Sequence, residues 1–166
     1  MERTKVATSS IISEAIIEFL ILSIPILGRL KDNELKIIEK YMNLIEVMPG
    51  EIVFKEGDSG DYVCFIVDGW LDVLKKTETG ECIVISTLSK GSSVGEMAVI
   101  DNLARSATVK ARTKSTLLTL SEENFNYILA EHPSIGVKIL KGIASELSTN
   151  LRKTSSMLAN SMLRPS

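Results

Sequence analysis

A change of character near Glu46 constrains the fold of this 166-residue chain more than any other feature. From there to residue 120 the apolar segments are short and rich in β-branched residues, with glycines between them. At least six segments predict strands: EIVF at 51–54, YVCFIV at 62–67, WLDVLKK at 70–76, CIVISTL at 82–88, SATVKAR at 106–112 and STLLTL at 115–120. Glu78-Thr79-Gly80 predicts a hairpin tip. Short strands at this spacing favour a small β-sandwich or barrel such as a jelly roll.

Helical patterns precede this β region. A helix capped by Ser10 or Ser13 is predicted to run to about Leu22. A second helix is predicted to begin near Asp32 or Asn33, either of which could cap it. Its apolar residues recur every three or four positions: Leu35, Ile38, Met42 and Ile45.

Helical character returns after the β region. Ser121-Glu122-Glu123-Asn124 is a capping signal, and Pro133 ends that helix and begins a longer one that frays beyond about residue 160. Along the longer helix a heptad-like seam is formed by Leu140, Ala144, Leu147, Leu151 and Leu158. Such a seam is typical of two arrangements, packing on the chain's own barrel or pairing with a second copy. Both stay open at this point, and the second predicts a homodimer through the C-terminal helix.

Composition and charge argue against several classes of function. A net charge of −2 and a pI near 5.5 argue against a nucleic-acid surface. The apolar run at 15–27 is interrupted by Glu18 and is too short for a membrane span of about 20 residues. Cys64 and Cys82 lie in strand-like runs, and the single His132 adds no metal-ligand cluster. We therefore expect a cytoplasmic protein that binds no metal, no nucleic acid directly and no membrane.

The segment at 94–109, VGEMAVIDNLARSATV, predicts a loop, a short helix and a strand that together suit a sugar phosphate. Gly95 lacks a Cβ and lets a ligand approach the backbone. Glu96 can accept a hydrogen bond from a ribose hydroxyl, and the guanidinium of Arg105 suits a phosphate. Helix N–H groups and small residues around them complete the pattern: Met97, Ala98, Ser106 and Ala107. The alternative is a structural ion pair between Glu96 and Arg105.

Two motifs make this chain resemble the cyclic nucleotide-binding domain family, which includes the bacterial catabolite activators, kinase regulatory subunits and cyclic-nucleotide-gated channels. PGEIVFKEGDSGDYVCFIVDGWLDV at 49–73 resembles the family's glycine-punctuated hairpin region. GSSVGEMAVIDNLARSATVKA at 91–111 resembles its phosphate-binding cassette. The resemblance covers about residues 24–150, and Val94 and Ala104 are small departures from the family pattern.

The resemblance implies a mainly β fold with flanking helices (α+β). This fold is a double-stranded β-helix, or jelly-roll barrel, with N-terminal helices and a long C-terminal lid helix. It divides the chain into an N-terminal helical arm at 1–23, a cyclic nucleotide-binding domain at 24–150, and the end of the last helix with a tail at 151–166.

The resemblance also implies a role for each site residue. Glu96 would take the ribose 2′-hydroxyl, and Arg105 would pair with the cyclic phosphate. Apolar residues flanking the base or sugar would be Val73 and Ile85, and Asn150 on the last helix would lie near the base. Assisting amides would come from Met97, Ala98, Ser106 and Ala107, with Gly95 before them.

The function implied is a sensor and not an enzyme. Ligand binding would move the C-terminal and N-terminal helices and so regulate a partner or a fused domain. Ser106 follows the arginine as in bacterial cAMP binders, so we expect cAMP as the ligand rather than cGMP. The Ser106 hydroxyl could also hydrogen-bond guanine, which leaves cGMP as the second choice. No cofactor is expected beyond this ligand. The alternative is a structural or dimerisation module of the same fold with an empty pocket or another anion.

Overall fold

The computed structural model describes residues 24–162. The helix predicted between Ser10 and Leu22, and residues 163–166, lie outside the described residues. The strands are β1 Met42–Val47, β2 Ile52–Phe54, β3 Tyr62–Asp68, β4 Trp70–Lys76, β5 Cys82–Ser89, β6 Ser93–Val94, β7 Thr108–Ala111 and β8 Ser115–Ser121. The helices are α1 Asp32–Ile38, α2 Glu96–Asp101, α3 Glu122–Glu131 and α4 Pro133–Met162, with a 3₁₀ turn at Glu39–Tyr41.

Two four-stranded antiparallel sheets carry the fold, in the orders β1-β8-β3-β6 and β2-β7-β4-β5. This confirms the predicted fold class, and all six predicted strands are present. The predicted hairpin tip joins β4 to β5, where Gly80 has a φ of 89° and its N–H donates to Thr77.

Strand β3 separates two apolar clusters. Successive side chains of a strand point to opposite faces. Val63 and Phe65 accordingly pack with the helices, whereas Cys64 and Ile66 pack between the sheets. Both faces are therefore buried, which explains why YVCFIV is a continuous apolar run and not an alternating one. Burial raises the pKa of the Cys64 thiol to about 12.

The second predicted helix was too long. Helix α1 ends at Ile38, and Met42 and Ile45 lie in β1, where they pair with Leu120 and Leu117 of β8. The apolar positions of MNLIEV fit either a helix or a strand, and pairing with a distant strand decides between them. The N-cap prediction was also wrong, because the cap is Lys31 and its N–H donates to the Glu34 carboxylate at 2.7 Å.

The predicted capping signal is confirmed at α3, where Ser121 Oγ accepts a hydrogen bond from the Asn124 N–H at 3.1 Å. Pro133 then begins α4, which is 30 residues long. A Cβ on Gly142 would lie 2.6 Å from the Ile26 carbonyl oxygen, so α4 packs directly on the backbone of the segment before α1. Lys138 Nζ donates to both carboxylate oxygens of Glu34 at 2.6 Å. The first half of α4 is therefore fastened to residues 24–38.

The heptad-like seam divides into two parts. Leu140 and Leu147 are half-buried against the chain's own core, as the first arrangement requires. Leu151 and Leu158 are 68% and 55% exposed, so pairing with a second copy stays a prediction for that half. Ala144, which lies between Leu140 and Leu147 in the chain, is exposed. Within residues 24–162, no helix is both long and apolar enough to cross a membrane.

Candidate functional site

A cavity of about 800 Å³ lies between the β2-β7-β4-β5 sheet, the segment that contains α2, and the second half of α4. All ten residues predicted for the site line it: Val73, Ile85, Gly95, Glu96, Met97, Ala98, Arg105, Ser106, Ala107 and Asn150. The structure therefore brings together residues that lie as far apart in the chain as 73 and 150. Their binding roles stay predictions.

The backbone around α2 is shaped by two left-handed residues. Gly95 has a φ of 87° and turns the chain from β6 into α2, while Asn102 has a φ of 56° and ends the helix. A Cβ at position 95 would collide with Nη1 of Arg105. Glycine is therefore required at this position for its conformation and for its lack of a side chain.

Arg105 is 3% exposed and lies against two aromatic rings. Its Cζ atom is 4.1 Å from the ring centroid of Phe54 and 4.7 Å from that of Tyr62. Nη1 donates to the Gly95 carbonyl at 3.0 Å and Nη2 to the Tyr62 carbonyl at 2.7 Å. These contacts hold the guanidinium plane in one orientation, with a cation–π contribution from both rings. The buried Nε atom has no hydrogen-bond partner.

Glu96 is 8% exposed, and its Oε2 atom also has no hydrogen-bond partner. Burial raises the pKa of this carboxyl, Glu146 raises it further, and hydrogen bonding to its own N–H and the charge of Arg105 oppose that change. Within the described residues, Glu96 and Arg105 do not form an ion pair with each other. The structural ion pair considered from the sequence is therefore wrong.

The second half of α4 contributes one face of the cavity. Side chains at helical spacing line it: Asn150, Lys153, Thr154, Met157, Leu158 and Ser161. Only Asn150 among them was predicted, although steps of three and four residues from it would have identified the others. Glu146 ties this helix to β6, since its carboxylate accepts hydrogen bonds from the Ser93 N–H at 3.1 Å and the Ser93 hydroxyl at 2.8 Å.

The sequence model of the cyclic nucleotide-binding domain family matches residues 44–132, more than half of the chain. The chain belongs to the cyclic nucleotide-binding domain family. The match begins within β1, continues through β8 and α3, and contains the whole segment from Gly95 to Ala107.

Relatives of this domain occur in longer proteins. The chain is 36% identical over 106 residues to a cAMP-dependent protein kinase regulatory subunit of Yarrowia lipolytica, covering 64% of this chain and 28% of that protein. It is 36% identical over 102 residues to a cGMP-dependent protein kinase of Plasmodium berghei, covering 61% and 11%. It is 31% identical over 110 residues to the lysophospholipase NTE1 of Phaeosphaeria nodorum, covering 66% and 7%. The chain thus spans less than a third of each relative.

Solved structures share the architecture. A cyclic nucleotide-binding domain from Methylobacillus flagellatus superimposes with a TM-score of 0.81 at 25% identity, covering 92% of this chain and 85% of that chain. A regulatory subunit of a cAMP-independent protein kinase A from Trypanosoma brucei gives a TM-score of 0.70 at 22% identity, covering 86% and 51%. The second likeness shows the fold alone.

Proposed function

We propose that this domain is a sensor that binds a cyclic mononucleotide in the cavity beside α2 and thereby regulates a partner or a fused domain. The observation that carries the proposal is a pair of buried polar atoms, Arg105 Nε and Glu96 Oε2, that have no partner although both residues line one cavity. Buried polar groups nearly always have hydrogen-bond partners, and each one left without costs about 1–3 kcal/mol.

The two unpaired atoms have opposite chemistry. Arg105 supplies a cationic donor, which suits a phosphate oxygen, whereas Glu96 supplies an anionic acceptor, which suits a hydroxyl. A cyclic nucleotide carries both complements, a cyclic phosphate and a ribose 2′-hydroxyl, on one rigid sugar. The amides around Met97, Ala98, Ser106 and Ala107 would assist at the phosphate.

Apolar and lid residues would hold the rest of the ligand. Val73 and Ile85 lie on β4 and β5 and would flank the base or sugar. Asn150 and Thr154 are one helical turn apart on α4 and would face the base from the other side. We place cAMP ahead of cGMP because Ser106 is the residue found in bacterial cAMP binders of this family.

The construction of α4 supports a moving lid. Its first half is fastened to residues 24–38 by the Glu34–Lys138 ion pair and the contact between Gly142 and Ile26. The contact between Glu146 and Ser93 ties the middle of the helix to β6, and the second half lies over the cavity. Ligand binding would bias the lid and, through the fastened half, the N-terminal helices. The size of the change is limited by the ligand's difference in affinity for the two states.

Isothermal titration calorimetry with cAMP and cGMP tests the proposal on protein freed of nucleotide by unfolding and refolding. We expect micromolar or tighter binding by the wild type and none by Arg105→Leu. Arg112→Leu is the matched control, because it removes the same charge from a side chain that is 53% exposed and paired with Asp72 outside the cavity. Absence of binding by the wild type would favour the alternative, a structural or dimerisation module with an empty pocket or another anion.

A further inference from the structure

The segment that carries Arg105, here called the phosphate arm (residues 105–108), is held from outside the cavity by the β2–β3 loop. The Gly57 N–H donates to the Arg105 carbonyl at 2.9 Å, and the Arg105 N–H donates to the Asp58 carbonyl at 2.8 Å. The Glu56 N–H donates to Thr108 Oγ1 at 3.0 Å. Both ends of the arm are thus fastened.

The middle of the arm is held by a side chain from β4. Lys75 Nζ donates to the Ser106 carbonyl oxygen at 2.6 Å and to Glu56 Oε1 at 2.5 Å. The second carboxylate oxygen of Glu56 accepts from the Lys76 N–H at 3.2 Å. The hydrogen bond from Lys75 lowers the pKa of the Glu56 carboxyl. Glu56 therefore orients the ammonium group that holds the Ser106 carbonyl.

The planarity of the peptide bond gives this contact a consequence inside the cavity. The Ser106 carbonyl and the Ala107 N–H belong to one trans peptide unit, so they point in opposite directions. An ammonium group that fixes the carbonyl on one side of the arm also fixes the N–H on the other. Ala107 is buried and lines the cavity, whereas neither Lys75 nor Glu56 does.

We propose that Lys75, oriented by Glu56, is a positioning residue that sets the Ala107 amide for the ligand's phosphate. The inference rests on the proposed function. It implies that two residues outside the cavity contribute to the affinity of the domain for its ligand. The Lys75 side chain is 46% exposed and that of Glu56 is 31% exposed. The effect should therefore be modest, because partly exposed ion pairs are screened by water and salt.

The test compares Lys75→Met with Lys76→Met. The two variants remove the same charge from adjacent residues of β4, but the Lys76 side chain does not form the contact with Ser106. We expect Lys75→Met to bind cAMP about three- to tenfold more weakly than the wild type, Lys76→Met to stay within about twofold, and Lys75→Arg to recover most of the loss.

A second readout separates positioning from a general loss of structure. In ¹H–¹⁵N spectra the Ala107 amide should shift downfield on addition of cAMP in the wild type and in Lys76→Met, and shift less in Lys75→Met. Glu56→Gln keeps the side-chain shape and serves if Lys75→Met fails to fold, with weaker binding expected in the same direction. Affinity and Ala107 shift equal to those of Lys76→Met would overturn the inference. Failure of the wild type to bind any cyclic nucleotide would instead overturn the proposed function.

Discussion

Glu96→Gln should change stability and ligand affinity in opposite directions. The carboxylate is 8% exposed, its Oε2 atom has no partner, and burial raises its pKa. A carboxyl whose pKa is raised on folding destabilises the protein when it is ionised. This cost is absent below the ordinary pKa of 4.5 and complete above the raised pKa of the folded state. Glutamine has nearly the same shape and no charge.

The size of both effects follows from the contacts. Removing a buried unpaired charge, while leaving a buried amide, should stabilise the nucleotide-free protein by about 1 kcal/mol, or about 3 °C in melting temperature. The charge-assisted hydrogen bond proposed for a ribose hydroxyl would contribute about 1.5–3 kcal/mol, against about 0.5–1.5 kcal/mol for the neutral hydrogen bond that the glutamine oxygen can still accept. The loss of about 1–1.5 kcal/mol should weaken cAMP binding about 5- to 13-fold.

Thermal unfolding followed by circular dichroism, with and without cAMP, measures both quantities in one series. At pH 7.5 the variant should melt above the wild type without ligand and gain less from cAMP. The difference without ligand should shrink as the pH approaches 4.5 and the wild-type carboxyl becomes protonated. Glu81→Gln is the control, since it removes an exposed carboxylate that does not line the cavity. A lower melting temperature for Glu96→Gln at pH 7.5 would refute the reasoning, because it would show that the carboxylate is already satisfied by the protein.

Three further predictions concern α4 and its contacts. Gly142→Ala should destabilise the protein by about 1–3 kcal/mol in urea unfolding, because its Cβ would stand 2.6 Å from the Ile26 carbonyl, whereas Ala144→Gly at an exposed site should cost about 1 kcal/mol. The pKa of Glu34 is lowered chiefly by its hydrogen bond to Lys138. The carboxylate therefore stabilises the fold fully above pH 4.5, and this stabilisation is lost as the pH falls through the lowered pKa. Glu34→Gln should flatten the plot of unfolding free energy against pH below pH 4.5. Ser93→Ala removes the hydroxyl contact to Glu146 and should speed cAMP release in stopped-flow measurements, while Ser92→Ala, next to it, should leave the rate unchanged.

The sequence predicted those parts of the fold whose signals are local. Turn glycines and capping residues act within a few positions, so six strands and the start of α3 could be assigned from them. Strand β1 could not, because MNLIEV suits two periodicities and its partner β8 begins 68 residues after β1 ends, at Ser115 against Val47. Strand β6 has two residues and no pattern of its own.

The site was predicted in part for the same reason. The residues of the segment at 95–107 lie close together in sequence and share one chemistry, so they could be identified together. The aromatic partners of Arg105 could not, because Phe54 and Tyr62 reach it only through the fold. The side of α4 that lines the cavity depends on how the helix packs at Gly142 and Glu146, which its heptad-like spacing does not reveal.

The central claim is that Arg105 and Glu96 complete their hydrogen bonding with a cyclic nucleotide. The most direct measurement is the arginine ¹H–¹⁵N Nε spectrum of the nucleotide-free protein during titration with cAMP, with Arg105→Leu used to assign the signal. The account predicts that the Arg105 Nε–H resonance shifts downfield and exchanges more slowly with water, while the Arg112 signal stays in place. An Arg105 resonance that does not move at saturating cAMP would contradict it.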